Sequence, residues 1–70
     1  MIEKTIDLSG QSATSIEAAV GLAVSRAAVT ITDIQQARVT EIVALVENGE
    51  IAHWKVGLRV TFRVADRVHE

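Results

Sequence analysis

The sequence predicts an α+β fold of order β-α-β-β, with one helix against a three-stranded antiparallel sheet ordered 1-3-2. Three patterns carry that expectation. Residues 2–9 alternate between apolar and polar. Apolar residues from Ile16 to Ile31 recur at helical spacing. Two runs rich in valine, isoleucine and leucine, 36–47 and 50–65, flank an Asn-Gly dipeptide.

In the first segment Ile2, Ile6 and Leu8 share one face with Lys4, while Glu3, Thr5, Asp7 and Ser9 share the other, as in a half-buried strand. Gly10-Gln11-Ser12 is expected to end it. Thr14-Ser15-Ile16-Glu17 fits a capping box in which Thr14 and Glu17 satisfy the first free amides of a helix. Ile16, Ala19, Val20, Ala23, Val24, Ala27 and Ile31 then form one face, and the helix is expected over 15–31, ending near Thr32-Asp33. Its alanines suggest close approach to a sheet or a second helix.

Asn48-Gly49 tolerates the positive φ angles of a two-residue hairpin turn. That turn pairs Leu45 with Ala52, Val43 with Trp54, Val39 with Leu58 and Ala37 with Val60 on one apolar face. Gln36, Arg38, Thr40 and Ile42 then oppose Thr61, Arg59, Gly57 and Lys55 on a mixed, largely polar face. The helix returns the chain after the first strand, so strands one and two run parallel and the third lies antiparallel between them. A helix over 15–31 spans roughly 25 Å at 1.5 Å per residue. The last strand spans roughly 50 Å at 3.3 Å per residue. The helix cannot cover that sheet, so other copies are expected to cover the protruding apolar part and both sheet edges.

The composition agrees. Seventy residues are expected to form one domain, 1–70, whose core is marginal alone. The chain has no cysteine and two histidines, His53 and His69, which excludes disulfides and argues against a histidine zinc cage. Partner subunits remain as the stabilising device. A net charge of −2 and only Trp54 and Phe62 as aromatics argue against nucleic-acid binding. Met-Ile-Glu-Lys-Thr does not begin a signal peptide, and no apolar run approaches the ~20 residues of a membrane span, so a soluble cytoplasmic protein is expected.

Lys55, Arg59, Arg63 and Arg67 recur every four residues and point to one side of a strand. Either they hold an anionic ligand, or Glu3 and Asp7 of the first strand neutralise Arg63 and Arg59. Arg38 opposite Arg59 places like charges across a ladder, so a carboxylate from another subunit or a bound anion is expected between them. Glu41 falls on the apolar face in this register. It is either paired with Lys4 or Arg26 or catalytic. His53 is expected to be a surface histidine, with a metal role as the alternative, and Trp54 is expected to face the helix. No catalytic triad spacing, phosphate-binding glycine loop or metal-ligand spacing is present, so no enzyme is expected.

The element order, with Ser12, Ile16-Glu17-Ala18-Ala19, Arg26-Ala27, Val39, Glu41-Ile42, Asn48-Gly49, Ala52-His53-Trp54 and Phe62-Arg63, resembles the dodecin family over nearly the whole chain. The resemblance implies a hollow homododecamer of cubic symmetry, its sheets partly wrapping the helices. Typical members sequester flavin (FMN or riboflavin) in stacked pairs at two-fold interfaces and act as stores, not catalysts. Their Trp-Phe-Glu-Val run supplies a tryptophan that stacks on the flavin ring, and a glutamine on the third strand binds its polar edge.

Here the corresponding run is Gln36-Ala37-Arg38-Val39, and Lys55 replaces the glutamine. The implied ligand position is therefore Gln36, Arg38 and Lys55, without the aromatic platform. Ala37-Arg38-Val39 is also similar to a run in a calcium-binding branch of the family. Calcium takes six to eight oxygen ligands, and Glu3, Asp7, Glu47 or Glu50 would have to gather at subunit junctions. Three functions are expected from these features: a shell that buffers a small ligand, a shell that binds calcium or another divalent ion, or a scaffold that binds neither.

Overall fold

The computed structural model describes residues 2–64; Arg67 and His69 lie outside the described residues. The element order is β1 (Ile2–Ser12), α1 (Ile16–Ala27), β2 (Ile34–Glu47) and β3 (Glu50–Val64). The sheet order is β1-β3-β2, with both pairings antiparallel, as the patterning predicts. Asn48 and Gly49 form the expected turn at φ 53° and 78°.

β1 continues through Gly10 to Ser12 instead of ending at Gly10. The reason is packing: a Cβ at Gly10 would lie 2.6 Å from the Ala19 carbonyl oxygen and 3.0 Å from the Ala23 Cβ. Glycine in this strand is a seat for the helix, and buried Ala19 and Ala23 are its counterparts on α1. They join Val56, Leu58 and Val60 in the core, with Ile6, Leu8, Ile16, Val20 and Val24 packed around them. The helix alanines thus do bring it close to the sheet.

The helix start differs from the expected box. Ser15 is the N-cap, and its hydroxyl accepts from the Ala18 amide at 3.0 Å. The Thr14 amide instead donates to the Ser12 hydroxyl. The helix also stops at Ala27, and tight turns carry the chain to Ile31. The run Val29-Thr30-Ile31-Thr32 is β-branched throughout and weak in helix propensity. Asp33 then takes φ 61°, and its carbonyl accepts from the Arg63 amide at 3.1 Å, fastening the entry to β2 against β3.

The expected register holds from Gln36 to Val39 and again beside the turn at Val46 and Glu47, and slips by one residue between Glu41 and Leu45. Ala37↔Val60, Arg38↔Arg59 and Val39↔Leu58 pair as expected. Leu45 pairs with His53 and Ala44 with Trp54, so the expected Leu45–Ala52 and Val43–Trp54 pairs are not formed. Register shifts at Gln35, Thr40 and Ala52 each insert one unmatched residue, and each exchanges the faces of the residues beyond it. Glu41 thereby moves to the polar face opposite Gly57, away from Lys4 and the core side, which resolves its apparent misplacement. Val43 and Leu45 move to the polar side, opposite Lys55 and His53. Ile42 and Ala44 take the helix side opposite Val56 and Trp54.

The length mismatch exceeds the expectation, because 12 helical residues span only about 18 Å. β1 ends opposite Trp54, so beyond that point β2 and β3 continue as a two-stranded ribbon. The molecule measures 60 × 19 × 13 Å. No described helix is long and apolar enough to cross a membrane.

Candidate functional site

The sheet has a helix side and an outer side. Unbroken pairing of β1 with β3 puts Trp54, Val56, Leu58, Val60 and Phe62 on the helix side and Lys55, Gly57, Arg59, Thr61 and Arg63 on the outer side. Gln36 and Arg38 pair with Thr61 and Arg59, so they also lie on the outer side, opposite in sense to Trp54. All three implied ligand residues therefore share one face.

They do not meet within one subunit. Gln36 is level with Thr61, six residues along β3 from Lys55, which is a distance of about 20 Å at 3.3 Å per residue. Gln36 and Arg38 stand near one end of that face, and Lys55 stands toward the ribbon.

The charge pattern around them is specific. Asp7 pairs with Arg59 across β1 and β3, and the Arg59 Nε donates to the Asp7 carboxylate at 3.0 Å. The hydrogen bond, with the charge of the guanidinium, holds the Asp7 carboxyl below its ordinary range and raises Arg59. Asp7 thus neutralises Arg59 from β1, as one of the two readings of the cationic stripe expects, and it lies on the opposite side of Arg59 from Arg38. This is the only ion pair among the described residues, and Arg38 takes no part in it. Glu3 is the register partner of Arg63, as the four-residue spacing of the acids predicts.

Between Arg59 and Lys55 the strand carries Gly57. A Cβ there would lie 2.9 Å from the Glu41 Cγ and 3.0 Å from the Thr40 Oγ1. The bulge at Thr40 lays both side chains over the glycine. The result is a shallow hollow of about 420 Å³ lined by Asp7, Thr40, Glu41, Lys55, Gly57 and Arg59, among others. It offers two cations and two carboxylates and no aromatic ring. Sequence reasoning found Lys55 and the cationic stripe but missed this hollow. The signal available was Gly57 in the middle of an otherwise unbroken strand, a mark of close approach.

Trp54 is half-buried on the helix side, and His53 is exposed near the hairpin end, both as expected. No group of three His, Asp or Glu residues that could hold a metal occurs among the described residues. Glu47 and Glu50 face each other across the turn, far along β3 from Glu3 and Asp7.

The arrangement was compared with known proteins. No curated protein sequence matches the chain significantly. The chain is similar to the solved structure of dodecin from Streptomyces coelicolor, with 32% identity, TM-score 0.87 and 93% of each chain covered. It is also similar to a protein from Thermus thermophilus, with 29% identity and TM-score 0.88 over 93% of this chain and 96% of that one. A third similar structure is described as a calcium-chelating immunodominant antigen, calcium dodecin, from Mycobacterium tuberculosis, with a novel calcium-binding site. It shares 33% identity at TM-score 0.82 and covers 100% of both chains. A family model described as Dodecin matches residues 2–65. With that match spanning the helix and all three strands, the chain belongs to the dodecin family.

Proposed function

We propose that copies of this chain assemble into a hollow homododecamer that sequesters or buffers a small ligand, without catalysing a reaction. The observation that supports this most is the outer sheet face, which carries Gln36 and Arg38 toward one end and Lys55 at the Gly57 hollow. Because Gln36 and Lys55 are about 20 Å apart along one sheet, a small ligand that touches both takes them from two copies. Subunit junctions are therefore the proposed binding places.

The side chains favour a ligand with an anionic or carbonyl edge. Arg38 supplies a planar donor fork and Lys55 a mobile ammonium. Flavin (FMN or riboflavin), the ligand implied by the resemblance, is the weaker occupant. With Gln36 at the stacking position the site forfeits roughly 1–3 kcal/mol, by analogy with bases stacked on aromatic side chains.

One observation favours a second reading, a shell that binds calcium. The similar Mycobacterium tuberculosis structure is described as calcium-chelating and covers the whole chain. Glu47 and Glu50 could supply two carboxylates per hairpin, so a calcium ion with six to eight oxygen ligands would draw on several copies.

Native mass spectrometry of freshly isolated protein tests the proposal, because it reports subunit count and retained ligand mass together. Twelve copies with an added organic mass support it. Twelve copies without one, with a melting temperature raised by calcium and lowered by chelator, support the calcium reading. Twelve copies with neither response leave a scaffold. A lone chain refutes all three.

A further inference from the structure

The hollow over Gly57 leaves two opposite charges without partners. Of the two carboxylates and two cations that line it, Asp7 and Arg59 are joined to each other. Glu41 and Lys55 are not: neither makes an ion pair with the other or with any described residue. Arg38, the next cation on β2, stands one level away, opposite Arg59.

Gly57 sets this arrangement. Glu41 faces it from β2 and Ser9 faces it from β1. The Glu41 carboxyl carbon lies 3.6 Å from the place a Cβ on Gly57 would take, and the Glu41 Cγ lies 2.9 Å from it. The glutamate therefore lies down over the glycine, and any side chain at 57 would displace it. Half-buried Lys55 stands two residues along β3, about 7 Å away at 3.3 Å per residue. Between them the hydroxyls of Ser9 and Thr40 line the hollow, each able to donate or accept.

A simple anion in this hollow meets the carboxylates of Glu41 and Asp7, and a simple cation meets Lys55 and Arg59. Like-charge contacts of either kind disfavour binding. A molecule that carries both signs avoids both. We infer that the Gly57 hollow binds a short zwitterion, with its ammonium on Glu41 and its carboxylate on Lys55. The flexible stem of Lys55 adjusts the span between the two charges, and about 420 Å³ is the size of a small-molecule site. The inference deepens the ligand-buffering reading and rests on it for the use of the outer face. It narrows the ligand from one with an anionic or carbonyl edge to one that carries a cation as well, and every residue it names comes from one chain.

A ligand-observed NMR titration tests the site, with β-alanine as the zwitterion and propionate and propylammonium as its single-charge counterparts, all at one ionic strength. β-Alanine is expected to bind saturably, and each counterpart about tenfold more weakly or worse. Glu41→Gln and Lys55→Gln, shown to be folded by circular dichroism, are each expected to weaken β-alanine binding by about tenfold. Propionate that binds as tightly as β-alanine, or β-alanine binding unchanged in either variant, overturns the site. So does assembled protein that binds no β-alanine; if native mass spectrometry of that sample shows a retained organic mass of another kind, the buffering shell still stands. A wild type that sediments as a single chain, yet binds β-alanine through Glu41 and Lys55, supports the site and overturns the shell.

Discussion

Replacing Gly10 with alanine loads the tightest contact between α1 and the sheet. The added methyl would lie 2.6 Å from the Ala19 carbonyl oxygen and 3.0 Å from the Ala23 Cβ. Neither neighbour is the end of a flexible side chain: one is helix backbone, and the other is a buried alanine. The helix must therefore lift from β1, and overpacking of this kind costs about 1–3 kcal/mol. The lower entropy of the unfolded alanine chain offsets about 0.4–1 kcal/mol of that. A net loss of about 1–2 kcal/mol lowers the melting temperature by roughly 4–16 °C in a domain of this size. Thermal unfolding followed by circular dichroism at one fixed protein concentration measures it, since assembly makes melting concentration-dependent. Gly21→Ala is the control, because nothing lies within 4 Å of a Cβ there and the site is inside the helix. It is expected to raise stability by about 0.5–1 kcal/mol. A Gly10→Ala protein that melts at or above wild type would refute the account of how the helix is seated.

Other substitutions give independent readouts. Ser15→Ala removes the hydroxyl that accepts from the Ala18 amide and is expected to cost about 1 kcal/mol in a denaturant titration, whereas Thr14→Ala, outside that cap, is expected to cost less. Asp7→Asn tests the ion pair through pH: Arg59 lowers the Asp7 pKa, so the pair's stabilisation is complete above the unfolded carboxylate value of about 3.9. It is lost as pH falls through the depressed folded value, so the melting curves of wild type and variant should differ at neutral pH and converge in strong acid. Gln36→Trp supplies the missing stacking surface and is expected to strengthen riboflavin binding by about 5- to 150-fold, read from fluorescence quenching; unchanged quenching would remove position 36 from the ligand site.

Much of this fold is legible in the sequence because its signals are local and agree with one another. The alternation of residues 2–9, the three-four spacing after Ile16 and Asn48-Gly49 each name an element, and together they leave one sheet order. What escapes is whatever depends on a single extra residue. The bulges at Gln35, Thr40 and Ala52 leave composition untouched, yet each reverses the faces of the strand beyond it. Glu41 was their visible trace, since a carboxylate among core positions marked a register that could not continue unbroken. Gly10 read as a strand end because glycine in a strand serves either as a stop or as a close approach, and only the position of Ala19 and Ala23 decides.

The candidate site was legible as a face and not as a pocket. Gln36, Arg38 and Lys55 share the outer side because β3 is regular from Trp54 to Val64. Their separation along the sheet, the Gly57 hollow and the pairing of Asp7 with Arg59 come from tertiary placement. The Asp7–Arg59 partnership was nonetheless foreshadowed by Glu3 and Asp7 sharing the spacing of Arg59 and Arg63.

Small-angle X-ray scattering of the purified protein in dilute solution tests enclosure by neighbouring copies most directly. The account predicts a particle about twelve times the mass of the 7.5 kDa chain, with the scattering minimum of a hollow shell. A profile that fits the lone rod of 60 × 19 × 13 Å would contradict it.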